Sequence, residues 1–234
     1  FSFSTLTPVQ FDGIGGSWTL LDPFASSSDV FLDRGELITG NFNFSAYSFL
    51  SNNANIRSLQ LGSSTMSISN TWNLSNTTNL TFDAGTSTIL FQAGSGNFRG
   101  GGLTYNVIKI SNISNMSIYG SNSYKKFFAT TNSSFSGSLT LKLEANSTHT
   151  ILDTLFLQGT SIPKRLNLQS LTSGTKGNFS KSIGKVCCNF LNITDNNAGG
   201  GAAFFAGVNS IQGSNVTGWI FLACPPPLTI SLFK

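Results

Sequence analysis

Apolar and polar residues alternate in short runs along most of the chain, and this pattern predicts β-strands. Clear examples are residues 59–61, 80–82 and 89–91, which are separated by turns rich in Gly, Ser, Asn and Thr. No segment keeps an apolar stripe of helical spacing among good helix formers, so we expect no substantial helix. The sequence therefore predicts an all-β fold.

Two features favour a parallel β-solenoid, also called a parallel β-helix, in which successive coils stack as rungs. The blocks LQLGSSTMSI, LTFDAGTSTILF and LFLQGTSIPKRLNL share a loose outline, as repeated coils would. Only 9% of residues are charged, and stacking suits such a chain because like charges repel in a ladder whereas Ser, Thr, Asn and apolar residues do not. A β-sandwich or jelly roll is the alternative, since its strands are also short.

We predict three parts in the chain: an N-terminal extended arm (residues 1–16), a β-solenoid domain (17–222), and a Pro-rich spacer with a C-terminal strand (223–234). The run from Pro225 to Pro227 cannot donate ladder hydrogen bonds and favours polyproline II, so it leaves the sheet. The alternating segment LTISLFK after it is predicted to add to a sheet edge of a neighbouring copy. The alternatives are that it folds back onto its own coil or links to a further domain.

The residues predicted to make assembly contacts are apolar and lie in the two terminal segments. They are Phe1, Phe3 and Leu6 in the first arm and Leu228, Ile230, Leu232 and Phe233 in the last strand.

Eleven Asn-x-Ser/Thr triplets are candidate N-glycosylation sites. They begin at Asn43, Asn73, Asn76, Asn79, Asn112, Asn115, Asn132, Asn146, Asn178, Asn192 and Asn215. Chance alone would give roughly six such triplets in a chain of this composition. Because charged residues are scarce, covalent N-glycans would supply the solubilising layer that charges usually provide. We therefore predict a glycoprotein located outside the cell or on a cell or virion surface.

The cysteines and the charges bear on disulfide formation and on the partners that the chain can bind. Three cysteines are too few for a disulfide scaffold, but in an alternating strand Cys187 points away from Cys188 and can reach Cys224. Three free thiols are the alternative. The formal charge of +4 is small and its basic residues are scattered, which argues against nucleic-acid binding. No apolar run reaches the roughly 18 residues that a membrane span requires.

Residues 56–119, and the segment GTKGNFSKSIGKVCCNFLNITDNNAGGGAAFFAGVNS with the later GWIF, resemble a family of known repeat domains. These are uncharacterised β-solenoid, parallel β-helix-like repeats of large surface-exposed and phage- or virus-associated proteins. The resemblance covers most of residues 17–222 and implies a surface, stalk or adhesion module without catalytic residues. Cys188, Asp195 and the pair Phe204 and Phe205 match positions of its motif. Asn189, the extra Cys187 and the many triplets depart from it, and the triplets favour a eukaryotic host or a virus that uses one.

The residues that usually carry catalysis or bind metals are isolated in this sequence. His149 has no second ligand at metal spacing, and we expect its side chain to face solvent. Asp29, Asp33 and Glu36 form the tightest acidic group. We interpret it as a turn with a local ion pair, and the alternative is that these carboxylates converge as those of a glycosidase do. We predict no catalytic residue, no metal site and no cofactor.

Two further groups have a structural and a functional interpretation. Lys176, Lys181 and Lys185 either protect a sheet edge or line a face that holds an acidic polysaccharide. The runs Gly100–102 and Gly199–201 lack the Lys-Ser/Thr of a phosphate-binding loop and are predicted to be tight turns or places where two backbone segments approach closely.

Together these observations predict an extracellular structural glycoprotein that assembles with copies of itself into a filament, fibre or coat. It would not be an enzyme, because packing rather than turnover is its mechanism. The alternative is a glycan-binding adhesin or viral surface fibre module, for which a surface polysaccharide would be a further partner. An elongated solenoid has two open ends, and head-to-tail stacking with exchange of arms would close them.

Overall fold

The computed structural model describes residues 2–3, 7–131 and 137–226 of the chain. This part is all-β without a helix, and its parallel strands stack into a β-solenoid of about 9 turns. The all-β class predicted from the alternating pattern, and the parallel solenoid predicted from the repeated blocks and the low charge, are therefore confirmed, and the sandwich alternative does not apply.

The strands are short because every coil must turn a corner after a few residues. In chain order they are β1 (Ser2–Phe3), β2 (Val9–Thr19), β3 (Phe24–Ser26), β4 (Val30–Ile38), β5 (Phe44–Ala46), β6 (Phe49–Leu50), β7 (Arg57–Gln60), β8 (Thr65–Ile68), β9 (Thr71–Asn73), β10 (Leu80–Asp83), β11 (Thr88–Phe91), β12 (Ser95–Arg99) and β13 (Thr104–Ser111). The second half continues with β14 (Asn115–Tyr119), β15 (Ser123–Thr130), β16 (Thr140–Leu143), β17 (Thr148–Gln158), β18 (Leu166–Ser170), β19 (Gly177–Ser180), β20 (Lys185–Cys187), β21 (Leu191–Ile193), β22 (Asn196–Gly199), β23 (Ala203–Phe205), β24 (Ile211–Gln212), β25 (Val216–Thr217) and β26 (Trp219–Ile220).

Several long strands bend and serve two neighbouring ladders, which gives the solenoid three faces. In β4, Val30 and Phe31 pair with β6, whereas residues 35–38 pair with β7. The first face contains β1, β3, β5, β8, β11, the later halves of β13, β15 and β17, and then β20, β23 and β26. The second face contains the start of β4 and β6, β9, β12, β14, β16, β18, β21 and β24. The third face contains the end of β4, β7, β10, the early halves of β13, β15 and β17, and then β19, β22 and β25.

Register keeps like residues above one another through the ladders. Ile89 of β11 lies between Met66 of β8 and Ile108 of β13, and all three side chains point inward. The residues between them, such as Leu90, point outward. Because a one-residue slip would expose a whole inward row, this burial fixes the register.

The core is a column of aromatic and aliphatic side chains enclosed by the three faces. The rings of Phe24 and Phe44 stack at 4.6 Å, and those of Phe49 and Trp72 stack at 4.9 Å. Each fully buried Phe or Leu contributes roughly 1.5–3 kcal/mol of transfer free energy. The many Phe residues of the sequence are explained by this column, since Phe fills it without a polar atom that needs a partner.

The corners need residues that tolerate a left-handed backbone. Asn41, Gly62 and Gly85 have φ of 67°, 51° and 51° and occupy equivalent corners of successive coils. A Cβ on Gly85 would lie 2.3 Å from the carbonyl oxygen of Gly62, so only glycine fits there. Asparagine is the usual non-glycine residue in this conformation.

The first ladder begins earlier than the sequence analysis placed it. Residues 9–11 of β2 pair with 30–32 of β4, and residues 17–19 pair with 36–38. Residues 9–16, assigned from sequence to the extended arm, are therefore part of the first coil. The Gly-rich segment 13–16 misled the prediction because it reads as a linker, whereas in the structure it lies inside a strand whose register shifts at this point.

Candidate functional site: the two ends of the solenoid

The N-terminal end of the solenoid presents an open strand edge. The 11-residue strand β2 pairs with β4 on one side through residues 9–12 and 17–19, and no other strand in the described part of the chain pairs with it. The amide N–H of Val9 donates to Asp29 O at 3.0 Å, and that of Leu20 donates to Ile38 O at 2.9 Å. Because the direction alternates along a strand, the N–H groups of Gln10 and Thr19 point away from β4 and towards the open side.

An apolar cleft of about 490 Å³ lies beside this edge. Its lining includes Val9, Phe11, Trp18, Leu20 and Phe24. Phe11 and Trp18 meet edge to face at 5.3 Å, and the Trp18 side chain remains partly exposed. The cleft lies at the N-terminal end of the core column. Along the rest of the column the corresponding side chains are covered by the neighbouring coil.

The acidic group of the sequence lies near this end and joins consecutive coils. Glu36 accepts hydrogen bonds from Ser17 Oγ at 3.0 Å, Ser58 Oγ at 3.1 Å and Gln60 Nε2 at 2.7 Å, and these bonds lower the pKa of its carboxyl group. Asp33 accepts from Asn53 Nδ2 at 3.1 Å. These carboxylates therefore hold neighbouring strands together.

Two more members of this region are placed as follows. Arg34 lies 3.6 Å from Asp12, which makes an exposed ion pair. The Oδ1 atom of Asp29 is buried and has no hydrogen-bond partner among the described residues.

The C-terminal end is built differently. Its last strands β24, β25 and β26 have 2 residues each. The indole N–H of Trp219 donates to Asn196 Oδ1 at 2.8 Å, and Asn196 Nδ2 donates to Gly177 O at 2.9 Å. Asn196 is fully buried, so its amide is paired on both sides inside the core.

A disulfide and a lysine fix the segment that follows the last strand. Cys187 of β20 is bonded to Cys224, with their Cα atoms 5.5 Å apart. Lys185 Nζ donates to Pro225 O at 2.5 Å and to Pro226 O at 3.2 Å. The start of the predicted spacer is therefore attached to the first face. Cys188 points into the core as a free thiol, and burial raises its pKa to about 12.

His149 is buried, so the expectation that it faces solvent is wrong. It lies between Tyr124, whose hydroxyl is 3.2 Å from Nδ1, and the Phe179 ring at 6.0 Å, and Ser147 Oγ is 3.2 Å from Nε2. Removal from water lowers its pKa to about 3, so the ring is neutral. The sequence carried a signal for this: His149 is two residues before inward Ile151 in a strand.

The lysines of the 176–185 segment do not share one face. Lys181 is buried and donates from Nζ to Asp153 O at 2.6 Å. Lys176 donates to Thr217 Oγ1 at 3.2 Å. They bond to neighbouring coils, as Lys185 does to the spacer. Gly101 and Gly102 lie in a turn and Gly200 and Gly201 in a bend directly after Gly199 ends β22, with φ of 75° at Gly102 and 94° at Gly200.

The described glycosylation candidates all keep surface exposure. Asn43, Asn79, Asn112, Asn115, Asn146 and Asn215 are exposed, and Asn73, Asn76, Asn178 and Asn192 are partly exposed, while Asn132 lies outside the described residues. Four of them, Asn79, Asn112, Asn146 and Asn215, occupy left-handed corners. A corner asparagine is followed by an inward residue and then an outward one, and this outward position suits Ser or Thr. Corner geometry thus accounts for these four triplets independently of glycosylation.

Asn215 differs from the other candidates because its amide is fully engaged. Its Nδ2 donates to Asp195 Oδ1 at 2.8 Å and to Gly174 O at 3.1 Å. Attachment of a sugar to this nitrogen would replace one hydrogen and remove one bond. No hydrogen bond from the Nδ2 atom of exposed Asn112 to a described residue competes with modification there.

The predicted assembly residues fall almost wholly outside the described residues. Phe1, Leu6, Leu228, Ile230, Leu232 and Phe233 lie there, and for Phe3 only the backbone is described, which pairs with Ser26.

The described residues contain no cluster of three or more His, Cys, Asp or Glu that could hold a metal ion. They also include no helix with the length and apolarity to cross a lipid bilayer. The chain matches no family model, no curated protein and no solved structure. The resemblance to surface and phage-associated repeats is therefore supported at the level of the β-solenoid fold alone.

Proposed function

We propose that this protein is an extracellular structural glycoprotein that assembles with copies of itself into a filament, fibre or coat, without a catalytic step. The observation that carries the proposal is the open edge of β2 beside the apolar cleft of Phe11, Trp18 and Phe24. An unpaired strand with an apolar surface next to it is a template for another chain, which adds both hydrogen bonds and buried area.

The two ends of one molecule differ, so a contact between them is heterologous and repeats without closing. Such a contact produces an open filament unless its rotation closes a ring. The segment that would reach the neighbouring β2 follows Pro226, which the disulfide and Lys185 hold close to the last coils. Leu228, Ile230 and Leu232 are the residues we propose for the cleft of the next copy.

The extracellular setting is supported by two chemical features. A disulfide such as Cys187–Cys224 persists in oxidising compartments and is rare in the cytosol. Only 9% of the residues are charged, and exposed asparagines in glycosylation triplets offer the alternative solubilising layer. The resemblance to surface-exposed repeat proteins is consistent with this setting.

The assembly is tested by blocking the β2 edge without disturbing its inner side. Proline at Gln10 and Thr19 removes two N–H groups that point away from β4, whereas the bonds of Val9 and Leu20 to β4 remain. We expect wild type to form regular fibres in negative-stain electron microscopy. The Gln10→Pro/Thr19→Pro variant should stay monomeric in sedimentation velocity with an unchanged circular dichroism spectrum.

The matched control is Gln10→Ala/Thr19→Ala, which loses the same side chains but keeps both N–H groups and should assemble as wild type does. A wild-type protein that stays monomeric at every concentration tested would refute the proposal. So would fibres of unchanged abundance in the proline variant.

The second candidate function is a glycan-binding adhesin or viral surface fibre module. The observation that favours it is a polar cleft between the third and first faces, in the middle of the solenoid.

A further inference from the structure

The third face is interrupted in the middle of the solenoid. β10 pairs with β7 and ends its ladder, and residues 104–105 at the start of β13 pair with 123–124 of the following coil. In the described residues no ladder joins β10 to β13. The two segments are still neighbours, since the rings of Phe82 and Tyr105 lie 5.1 Å apart. The backbone separation opens a cleft of about 560 Å³.

The interruption follows from the lengths of the two corners. After β10, four residues (84–87) turn the corner before β11 begins, whereas Asn106 alone separates the two paired halves of β13. The longer turn is held away by its contact with the coil below, since Thr86 N donates to Gly62 O at 2.7 Å. Asn106 Nδ2 donates to Ser87 O at 3.0 Å and closes the inner side. The cleft is thus fixed by backbone contacts on both sides.

The lining combines an apolar wall with polar groups of several kinds. Phe82 and Leu152 form part of the wall, and Leu152 is 56% exposed although it is a leucine. The polar lining residues are Asp83, Thr86, Thr104, Asn106, Lys125 and Asp153. Three of them are charged, in a chain where only 9% of residues are. A purely structural groove of this protein would be expected to carry Ser, Thr and Asn instead.

Several of these polar atoms retain unused hydrogen-bonding capacity. Asp83 Oδ1 accepts from Gly85 N at 2.8 Å, and no described residue donates to its Oδ2. Asn106 uses its Nδ2, and its Oδ1 accepts from no described group. Asp153 meets Lys126 only at 4.0 Å, in an exposed pair. Carboxylate and amide oxygens that face solvent in a cleft are acceptors for hydroxyl donors.

We propose that this cleft binds a neutral oligosaccharide. Sugar hydroxyls would donate to Asp83, Asp153 and Asn106, Lys125 would donate to a sugar oxygen, and the C–H face of a ring would pack on Phe82 and Leu152. Two carboxylates against one lysine disfavour an acidic sugar chain. The volume lies within the roughly 300–1,000 Å³ of ligand sites. The site does not include the β2 edge. It rests on the second candidate function, a glycan-binding adhesin, and names the class of sugar that would bind.

The experiment is isothermal titration calorimetry with three neutral probes: cellohexaose, maltohexaose and hexa-N-acetylchitohexaose. The monomeric Gln10→Pro/Thr19→Pro variant is titrated beside wild type, so that assembly and sugar binding are read separately. We expect at least one hexasaccharide to bind with a Kd of about 1 mM or tighter. Asp83→Asn/Asp153→Asn should weaken this binding about tenfold or more, because charged acceptors bind hydroxyls more strongly than amides.

Two further variants distinguish binding at the cleft from non-specific binding elsewhere on the surface. Thr104→Trp fills the cleft from an exposed position and should abolish binding. Asp22→Asn removes an exposed carboxylate near the N-terminal end and should leave the Kd within about twofold. Circular dichroism verifies the fold of each variant, and if Thr104→Trp unfolds, the Asp83 and Asp153 pair carries the test. The proposal is overturned if no probe binds at about 5 mM, or if binding survives both the charge and the blocking variants.

Discussion

Trp18 and Trp219 lie near opposite ends of the solenoid, and their surroundings show that the two ends differ in how completely their side chains are packed and hydrogen-bonded. Trp18 packs edge to face on Phe11 and stays partly exposed beside the apolar cleft. Its indole N–H donates to no described residue. Trp219 is only 8% exposed and donates to the buried amide of Asn196. The first environment leaves apolar area open beside the cleft, and the second has already satisfied its polar groups.

The strand edges repeat this contrast. At the N-terminal end β2 offers an edge of 11 residues, whereas β24, β25 and β26 offer 2 each. Short edge strands are one of the ways in which proteins prevent uncontrolled pairing. The C-terminal end also has the Cys187–Cys224 bond, which ties its last segment to the first face. Under the proposed assembly, the long edge of β2 is the end to which a further copy would add, and the tied C-terminal end would supply the segment that adds to it.

Removal of the two tryptophans should have unequal effects, and this is the largest difference we expect. Trp219→Ala leaves a core cavity and an unpaired Asn196 oxygen, so it should lower the free energy of unfolding by about 3–5 kcal/mol. Trp18→Ala removes a partly exposed ring and should cost less than about half of that. Urea denaturation followed by circular dichroism measures both. Equal losses would mean that the N-terminal end is as closed as the C-terminal end.

Acid should weaken the C-terminal half through His149, the only histidine of the chain. Its folded-state pKa is lowered to about 3 by burial, below the ordinary value of 6.5. The unfolded chain therefore binds a proton that the folded one does not, and stability is lost as pH falls from about 6.5 towards 3. The expected slope is about 1.4 kcal/mol per pH unit, or roughly 5 kcal/mol in all.

The measurement is the urea midpoint at intervals between pH 7 and pH 5, where few carboxylates titrate. His149→Phe keeps an aromatic ring between Tyr124 and Phe179 and removes the titrating group. Its stability should be nearly independent of pH in this window, whatever its value at pH 7. A wild-type slope that His149→Phe retains would assign the effect to another group.

Loss of the disulfide should come next in size. The bond links residues 37 positions apart, and closing a loop of this length constrains the unfolded chain by about 3–4 kcal/mol. Cys187→Ser/Cys224→Ser should lower the free energy of unfolding by this amount. A reductant should lower the stability of the wild type by the same amount and should have no effect on the serine variant, which lacks the bond. Hydrogen exchange should then rise in β23 and β26 while β2 and β4 stay unchanged. A uniform rise would show that the two ends unfold as one unit.

The outcome of the sequence analysis can be understood from the same residues. Alternation was sufficient for the all-β class, because inward rows such as Met66, Ile89 and Ile108 leave a period of two in many strands, and the shared outline of the blocks with the low charge favoured the solenoid. It could also place Cys187 outward from Cys188. It did not locate the first coil, since the Gly13–Gly16 segment has the composition of a linker although the strand continues through it.

The buried polar groups were harder to predict, because their partners come from distant coils. Nothing local marks Arg57 as buried, yet its guanidinium donates to Ser51 O, Asn76 O and Thr78 O and holds two loops in place. His149 looked isolated for the same reason. The polar cleft was missed too, since Asp83 and Asp153 are 70 residues apart and meet only through stacking of the coils.

The smallest expected effect on stability distinguishes an asparagine that is needed for a corner of the solenoid from one that serves only as a candidate glycosylation site. Asn112 and Asn215 both occupy left-handed corners, with φ of 58° and 55°, which glycine adopts freely. Asn112→Gly should therefore leave stability nearly unchanged in protein made without glycans. Asn215→Gly removes the bonds to Asp195 and Gly174 and should cost about 1 kcal/mol.

The same pair sharpens the contrast between structural and modified asparagines when the protein is produced in a glycosylating host. Mass spectrometry of the glycopeptides should find higher occupancy at Asn112 than at Asn215, because a sugar on Asn215 costs the folded C-terminal end one of its bonds. Where Asn→Gly is destabilising, the asparagine would then be required mainly for the hydrogen bonds of the corner rather than for attachment of a glycan. If occupancy were instead highest at Asn215, the hydrogen bonds of this corner would have to form differently in the glycosylated protein, and the last coil would be looser than the buried Asn196 and Trp219 pair implies.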